Sequence, residues 1–216
     1  MLPLFRLDIQ PLEFNGRSVF IYVPNKASVK DWYLSQKGTD GANADPYWAK
    51  LWPAAIGLSQ FLVTNLSLIQ QKTVLELAGG LGLPSLVAAP YAKEVLCSDY
   101  MPAAIEVVRR SMLLNGYENV TAKVLNWNDL PPDTHADVLL LSDINYDPQV
   151  FGSLYQVLHS FLEKGTTVLL STPQRLVAKD FIGPLLRYCI QQEEREIHWE
   201  GEQAFVSLFV LKKNRG

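Results

Sequence analysis

The sequence predicts a doubly wound α/β fold whose mostly parallel sheet closes on an antiparallel hairpin, and three observations carry that prediction. Strand-like apolar runs and helical patterns alternate from residue 73 to residue 190. A glycine-rich turn, Ala78-Gly79-Gly80-Leu81-Gly82, joins the first of these strands to the first helix. The last two strand-like runs, residues 193–200 and 204–211, are too close in sequence for a crossover helix, so they must pair antiparallel.

Taken in order, residues 5–23 alternate apolar and polar side chains around Asn15-Gly16, the strongest short signal for a hairpin turn. This N-terminal β-hairpin is expected to cover one edge of the sheet. A helix is expected over residues 26–35. Residues 37–46, KGTDGANADP, collect turn formers and read either as a lid or as a solvated connector. Pro53 suits the first turn of a helix over residues 54–65. Strands follow at 73–77, 94–99, 120–125, 137–142 and 166–171, with helices from 83 and at 102–115, 148–163 and 177–190. Residues 137–142 are apolar almost throughout, as a strand buried on both faces requires.

With 216 residues, 48% hydrophobic and 19% charged, the chain is long enough to fold as a single domain over residues 1–216. Residues 1–36 form its N-terminal hairpin and helix, and residues 46–216 its core. A net charge of -3 offers no basic field for a phosphate backbone, so nucleic acid is not an expected partner. No run approaches the roughly 20 apolar residues of a membrane span, and the opening lacks a basic start followed by an apolar stretch. No membrane partner is expected. Cys97 and Cys189, far apart in apolar segments, read as buried thiols in a reducing, cytoplasmic setting, and the chain is expected to be a monomer. His135, His159 and His198 lack metal-ligand spacing, so no metal is expected.

The glycine turn carries the chemistry. Glycine is needed where the chain turns sharply and a ligand must approach the backbone without a Cβ in the way. Glu76 precedes the turn, and Asp99 ends the next strand, where such folds hold a carboxylate against ribose hydroxyls. A plain tight turn would also account for the glycines alone. The spacing departs from the G-x-G-x-x-G of hydride-transfer enzymes.

These residues resemble the class I, seven-stranded S-adenosylmethionine-dependent methyltransferases, whose Rossmann-like sheet also ends in an antiparallel pair. Their first motif, E-x-G-x-G-x-G, is similar to Glu76-Leu77-Ala78-Gly79-Gly80-Leu81-Gly82, with Ala78 replacing the first glycine. Alanine fits there only with a negative φ. A closer resemblance is to the family 16 protein lysine methyltransferases, a group also known as nicotinamide N-methyltransferase-like. It rests on Tyr47-Trp48-Ala49-Lys50-Leu51-Trp52-Pro53, on Asn126-Trp127-Asn128, and on Ser142-Asp143-Ile144-Asn145-Tyr146-Asp147-Pro148, which is similar to a D-x-x-Y motif.

The resemblance implies nitrogen methylation of a lysine on a partner protein, with S-adenosylmethionine as cofactor and S-adenosylhomocysteine as product. It implies a cofactor site of Trp52, Glu76, Ala78, Gly80, Gly82, Asp99, Tyr100, Asn126, Trp127 and Asp143, with Asp143 and Tyr146 also catalytic. Asp143 would position the amine more than deprotonate it, since a nearby carboxylate raises an amine's pKa. Tyr146 would offer its ring or its hydroxyl to the same nitrogen. Core filling is the alternative reading of Trp52 and Trp127, and a helix cap that of Asp143, although Asp147-Pro148 is the better helix start. The competing functions are methylation of a small amine or pyridine-like molecule, a nicotinamide-dependent oxidoreductase, and a binding module that kept the fold without activity.

Overall fold

The computed structural model describes residues 5–36, 46–145, 147–174 and 178–213. The expectation of a lid at 37–46 therefore falls, Pro46 apart, outside the described residues. Strands β1 (Leu7–Phe14) and β2 (Arg17–Pro24) form the N-terminal hairpin, followed by helix α1 (Lys26–Gln36) and helix α2 (Pro53–Thr64). Asn15 and Gly16 both take positive φ, 50° and 75°, the turn whose twist matches the flanking strands.

Strand β3 (Thr73–Glu76) then leads through helix α3 (Leu83–Ala88) to β4 (Glu94–Asp99), helix α4 (Pro102–Asn115) and β5 (Val120–Val124). Strand β6 (Val138–Ser142), helix α5 (Phe151–Glu163), β7 (Thr167–Pro173), helix α6 (Ala178–Ile182), β8 (Cys189–Trp199) and β9 (Glu202–Leu211) complete the chain. The main sheet has seven strands in the order β5-β4-β3-β6-β7-β9-β8. The first five are parallel, and β9 runs antiparallel to both β7 and β8.

Alternation along the strands sorts the core onto two faces. Val74, Leu140, Leu169 and Val210 turn to the side covered by α2 and α3, where Phe61, Leu62 and Leu86 are buried. Leu75, Leu139, Leu141, Leu170 and Phe209 turn to the other side, against Leu154, Leu158 and Phe161 of α5. Cys97 is buried in a smaller cluster with Ile105 and Val108 of α4 and Ala122 of β5, whereas Cys189 at the start of β8 is only half-buried. No helix among the described residues is long and apolar enough to cross a membrane.

Two expectations about the fold require correction. The N-terminal hairpin does not cover a sheet edge: it is a separate two-stranded sheet that lies on α4. There Tyr22 N–H donates to Ser111 Oγ at 3.0 Å, Phe20 N–H to Asn115 Oδ1 at 2.9 Å, and Asn115 Nδ2 returns a bond to Phe20 O at 2.6 Å. Side chains of a helix thus satisfy the outer edge of β2, which would otherwise leave backbone groups without partners. The helix expected over 177–190 is also shorter. Regular α6 ends at Ile182, Gly183–Tyr188 form a 3-10 turn, and β8 begins at Cys189. Pro184 supplies no N–H to continue an α-helix.

Candidate functional site

Parallel strands all end at the same edge, and the chain reverses its winding where β6 returns to the other side of β3. Ligands of such sheets bind at that reversal, outside the carboxyl ends of the strands. The ends of β3, β4, β5 and β6 bring Glu76, Asp99, Asn126-Trp127 and Asp143 there.

The loop after β3 is tied to both neighbouring strands. Leu77 N–H reaches Leu140 O at 3.3 Å, Gly79 N–H reaches Ser98 O at 2.8 Å, and Ser98 Oγ donates to Glu76 O at 2.8 Å. Held in this way, Ala78 takes φ +52°, which overturns the expectation that alanine here keeps a negative φ. An L-residue pays roughly 1–2 kcal/mol for that conformation, and the bonds on either side impose it. The two following glycines serve different needs. A Cβ on Gly80, at φ +55°, would lie 3.2 Å from the carbonyl oxygen of Trp48. One on Gly82, at φ +72°, would lie 2.9 Å from Cys97 Sγ and 3.0 Å from Val108 Cγ2. Gly82 therefore lets the loop and α3 pack against β4 and α4, and Gly80 brings the loop against the backbone of the Tyr47–Pro53 segment.

Asp99 is buried, and its carboxylate is shared between two backbone donors. Gly80 N–H donates to Oδ2 and Met101 N–H to Oδ1, both at 2.9 Å. Burial raises its pKa, while the N–H groups of Met101, Gly80 and Tyr100 act in the opposite direction. A carboxylate has about four acceptor positions, so each oxygen keeps capacity for a ribose hydroxyl. Asp99 O also accepts from Leu125 N–H at 3.0 Å, which places Asn126 and Trp127 directly beside it. Asn126 is exposed and its side chain accepts from Asn128 N–H, capping the 3-10 turn Trp127–Asp129. Trp127 is half-buried against the α5 face of the core. Tyr100 is 59% exposed and projects from the same edge.

Glu76 is fully buried. Its Oε2 accepts from Ser85 Oγ at 2.5 Å and Ser85 N–H at 3.1 Å, while Oε1 has no hydrogen-bond partner. Burial, only partly offset by Ser85, pushes its pKa up to about 7. Ser85 was not among the expected site residues, although its place three residues after Gly82 was visible.

Trp52 is half-buried at the N-terminus of α2, and its indole N–H donates to Tyr47 O at 2.7 Å. Lys50 Nζ lies 4.6 Å from its ring centroid and 4.0 Å from Glu202 Oε2. The polar edge and one face of Trp52 thus have partners within the protein.

Beyond β6 the chain is fastened to β7. Asp143 is buried at φ +52°, and its N–H donates to Ser171 O at 2.9 Å. Asn145, 1% exposed, accepts from Thr172 Oγ1 through Oδ1 at 2.8 Å, while its Nδ2 has no partner. Asp147 caps the turn Pro148–Val150 by accepting from Gln149 N–H at 2.9 Å, which leaves the capping role to Asp147 and not to Asp143. Tyr146 lies outside the described residues. Among the described residues no group of three or more His, Cys, Asp or Glu side chains could hold a metal ion.

The sheet and its site edge are those of the class I methyltransferases. Solved structures share the fold: N-methyltransferase NodS from Bradyrhizobium japonicum, solved with S-adenosylhomocysteine, superposes with TM-score 0.60 at 14% identity, covering 85% of this chain and 98% of that one. The tRNA m1G37 methyltransferase of M. jannaschii gives 0.59 at 15% identity over 95% of this chain and 57% of that one. A lysine methyltransferase family model matches residues 34–187, and the chain belongs to that family.

Curated relatives include the electron transfer flavoprotein beta subunit lysine methyltransferase of Mus musculus, 31% identical over 69% of this chain and 58% of that one. The histone-arginine methyltransferase METTL23 of Xenopus laevis is 32% identical over 55% and 53%. The chain spans little more than half the length of these relatives.

Proposed function

We propose that this chain transfers a methyl group from S-adenosylmethionine to the side-chain nitrogen of a lysine on a partner protein. Family membership supports the chemistry, and the names of the relatives support a cationic side chain on a protein as the acceptor. The observation that carries the reading is the hydrogen bond between Gly80 N–H and Asp99 Oδ2, which joins a glycine-rich loop to a buried carboxylate at the site edge.

The residues present fit the cofactor. Asp99 would take the ribose hydroxyls, Trp127 and Asn126 would flank the adenine, and the Ala78–Gly82 loop would pass beneath the amino-acid end, with Tyr100 and Trp52 at the rim. Glu76 supports the loop from below through Ser85. The cofactor supplies an electrophilic methyl on a sulfonium. The protein's part is to align donor and acceptor at close approach and to exclude water. Asp143, at the neighbouring strand end, would hold the incoming ammonium and orient its nitrogen. Burial of the amine lowers its pKa and the carboxylate raises it, so Asp143 acts as positioner while the dry surroundings favour loss of the proton. Tyr146, the last residue of the D-x-x-Y motif, is proposed as the second catalytic residue on the strength of that motif.

The test is calorimetric binding of S-adenosylhomocysteine, with NAD as control, followed by labelled methyl transfer into host proteins. Binding of S-adenosylhomocysteine alone, with label on lysine, is the expected result. Binding of NAD instead, or label confined to small molecules, would overturn the reading.

A further inference from the structure

The segment after β6 is stapled to the end of β7 at two successive residues: Asp143 N–H to Ser171 O, and Thr172 Oγ1–H to Asn145 Oδ1. The second staple leaves half of the Asn145 amide unused, since Nδ2 is buried and without an acceptor. A buried donor without a partner is destabilising, and the cost is relieved if an acceptor is supplied. Asp143 is two residues away on the same fastened segment, and it too is buried. Its carboxylate has about four acceptor positions, so it has capacity for a further donor besides its present contacts.

On the reading of Asp143 given above, the geometry points to Asn145 as its positioning residue: Thr172 fixes the amide through Oδ1, and Nδ2, without an acceptor in this structure, is the donor available to the Asp143 carboxylate when that carboxylate turns to a cationic acceptor, steadying it there. Oδ1 is the fixed end of the amide and Nδ2 the available one. A donor at this point is of no use to an ammonium directly, which offers no lone pair, so it acts through the carboxylate.

The test needs no knowledge of the acceptor. Sinefungin, a cofactor analogue with a primary ammonium in place of the methylsulfonium, presents a cation where the acceptor meets the donor. Calorimetry with sinefungin and S-adenosylhomocysteine on the full chain gives a ratio of affinities that reports the hold of Asp143 on a cation. The wild type should prefer sinefungin, and Asp143→Asn should abolish the preference. Asn145→Leu should lower it about tenfold, the equivalent of one charge-assisted hydrogen bond, with S-adenosylhomocysteine affinity unchanged. Thr172→Val, which removes the staple but keeps the donor, should change the ratio by less than about threefold, under half that energy. If the leucine variant does not fold, Asn145→Ala made in wild-type and Asp143→Asn backgrounds should lower the ratio only in the former. Equal losses in the leucine and valine variants, or a ratio unchanged by Asn145→Leu or by Asn145→Ala in the wild-type background, would overturn the role of Asn145 alone. A wild type that binds no S-adenosylhomocysteine would overturn the functional reading, and the inference with it.

Discussion

Gly80 N–H donates to Asp99 Oδ2 at 2.9 Å, so the loop after one strand and the acidic end of the next are built as one unit. Gly79 N–H to Ser98 O, one residue earlier on each side, makes the connection double. A change at Asp99 therefore acts on the loop as well as on any ligand that the carboxylate holds.

Asp99→Ala is expected to weaken S-adenosylhomocysteine binding at least about tenfold, since it removes a charged acceptor from two backbone donors and from the ligand. Asp143→Ala is expected to leave that affinity within about twofold and to remove transfer. Calorimetry beside a labelled-methyl assay separates the two, and equal loss of binding in both variants would contradict this division of roles.

Asp143→Asn tests the second role more gently. Asparagine tolerates the positive φ of this position better than most residues, so the melting temperature should not fall. Transfer should drop about a hundredfold, the scale of losing acceptor alignment. A lowered melting temperature together with retained transfer would reverse the assignment.

Ala78→Gly should stabilise the protein. Relief of the strain at φ +52° outweighs the added freedom of glycine in the unfolded chain, a net gain of about 0.5–1 kcal/mol and roughly 2–3 °C in Tm. Thermal unfolding followed by circular dichroism measures this directly.

Gly82→Ala should destabilise by about 2–3 kcal/mol, combining positive φ with a Cβ 2.9 Å from Cys97 Sγ. Adding Val108→Ala and Cys97→Ala should recover the steric part and not the backbone part. A single variant as stable as wild type in urea would show that the loop is less tightly packed than described.

Glu76 gives a pH signature. Between about 4.5, its ordinary value, and about 7, its value in the fold, the unfolded chain has released the proton that the folded chain still holds. The unfolded state then binds fewer protons, so stability falls as pH rises through that window and levels off above it, by roughly 3 kcal/mol in all. Glu76→Gln, neutral throughout, should flatten the fall. Urea midpoints at about pH 5 and about pH 8 should converge for the variant, and parallel curves would locate the proton elsewhere.

Strand and helix alternation was legible because periodicity reports burial, and residues 137–142 announced a strand covered on both faces. The site edge followed from it, since parallel strands deliver their ends together. What remained hidden depends on partners distant in sequence. The conformation of Ala78 is imposed by Ser98 and Leu140 from neighbouring strands, and the seat of the hairpin on α4 by Ser111 and Asn115. The early start of β8 was masked by the exposed Ile190, Gln191 and Gln192 and by a register shift between Cys189 and Gln191. Asn145 carried one faint signal, a carboxamide directly after an apolar strand end, but nothing local tells a buried amide from a solvated one.

The sheet order has a bearing on how the chain is made. Strand β9, the latest in sequence, is an interior strand between β7 and β8. As the polypeptide leaves the ribosome, everything through β7 is available while the inner flank of that strand still lacks its neighbour. Leu169, Leu170 and their backbone groups then wait for Val210 and Phe209. An open apolar strand edge is a template for pairing with other chains. The interval between emergence of β7 and arrival of the β8–β9 hairpin is thus the moment at which a nascent chain is most exposed to misassembly. Slower translation over residues 174–201 would lengthen that exposure without altering a single contact of the finished protein.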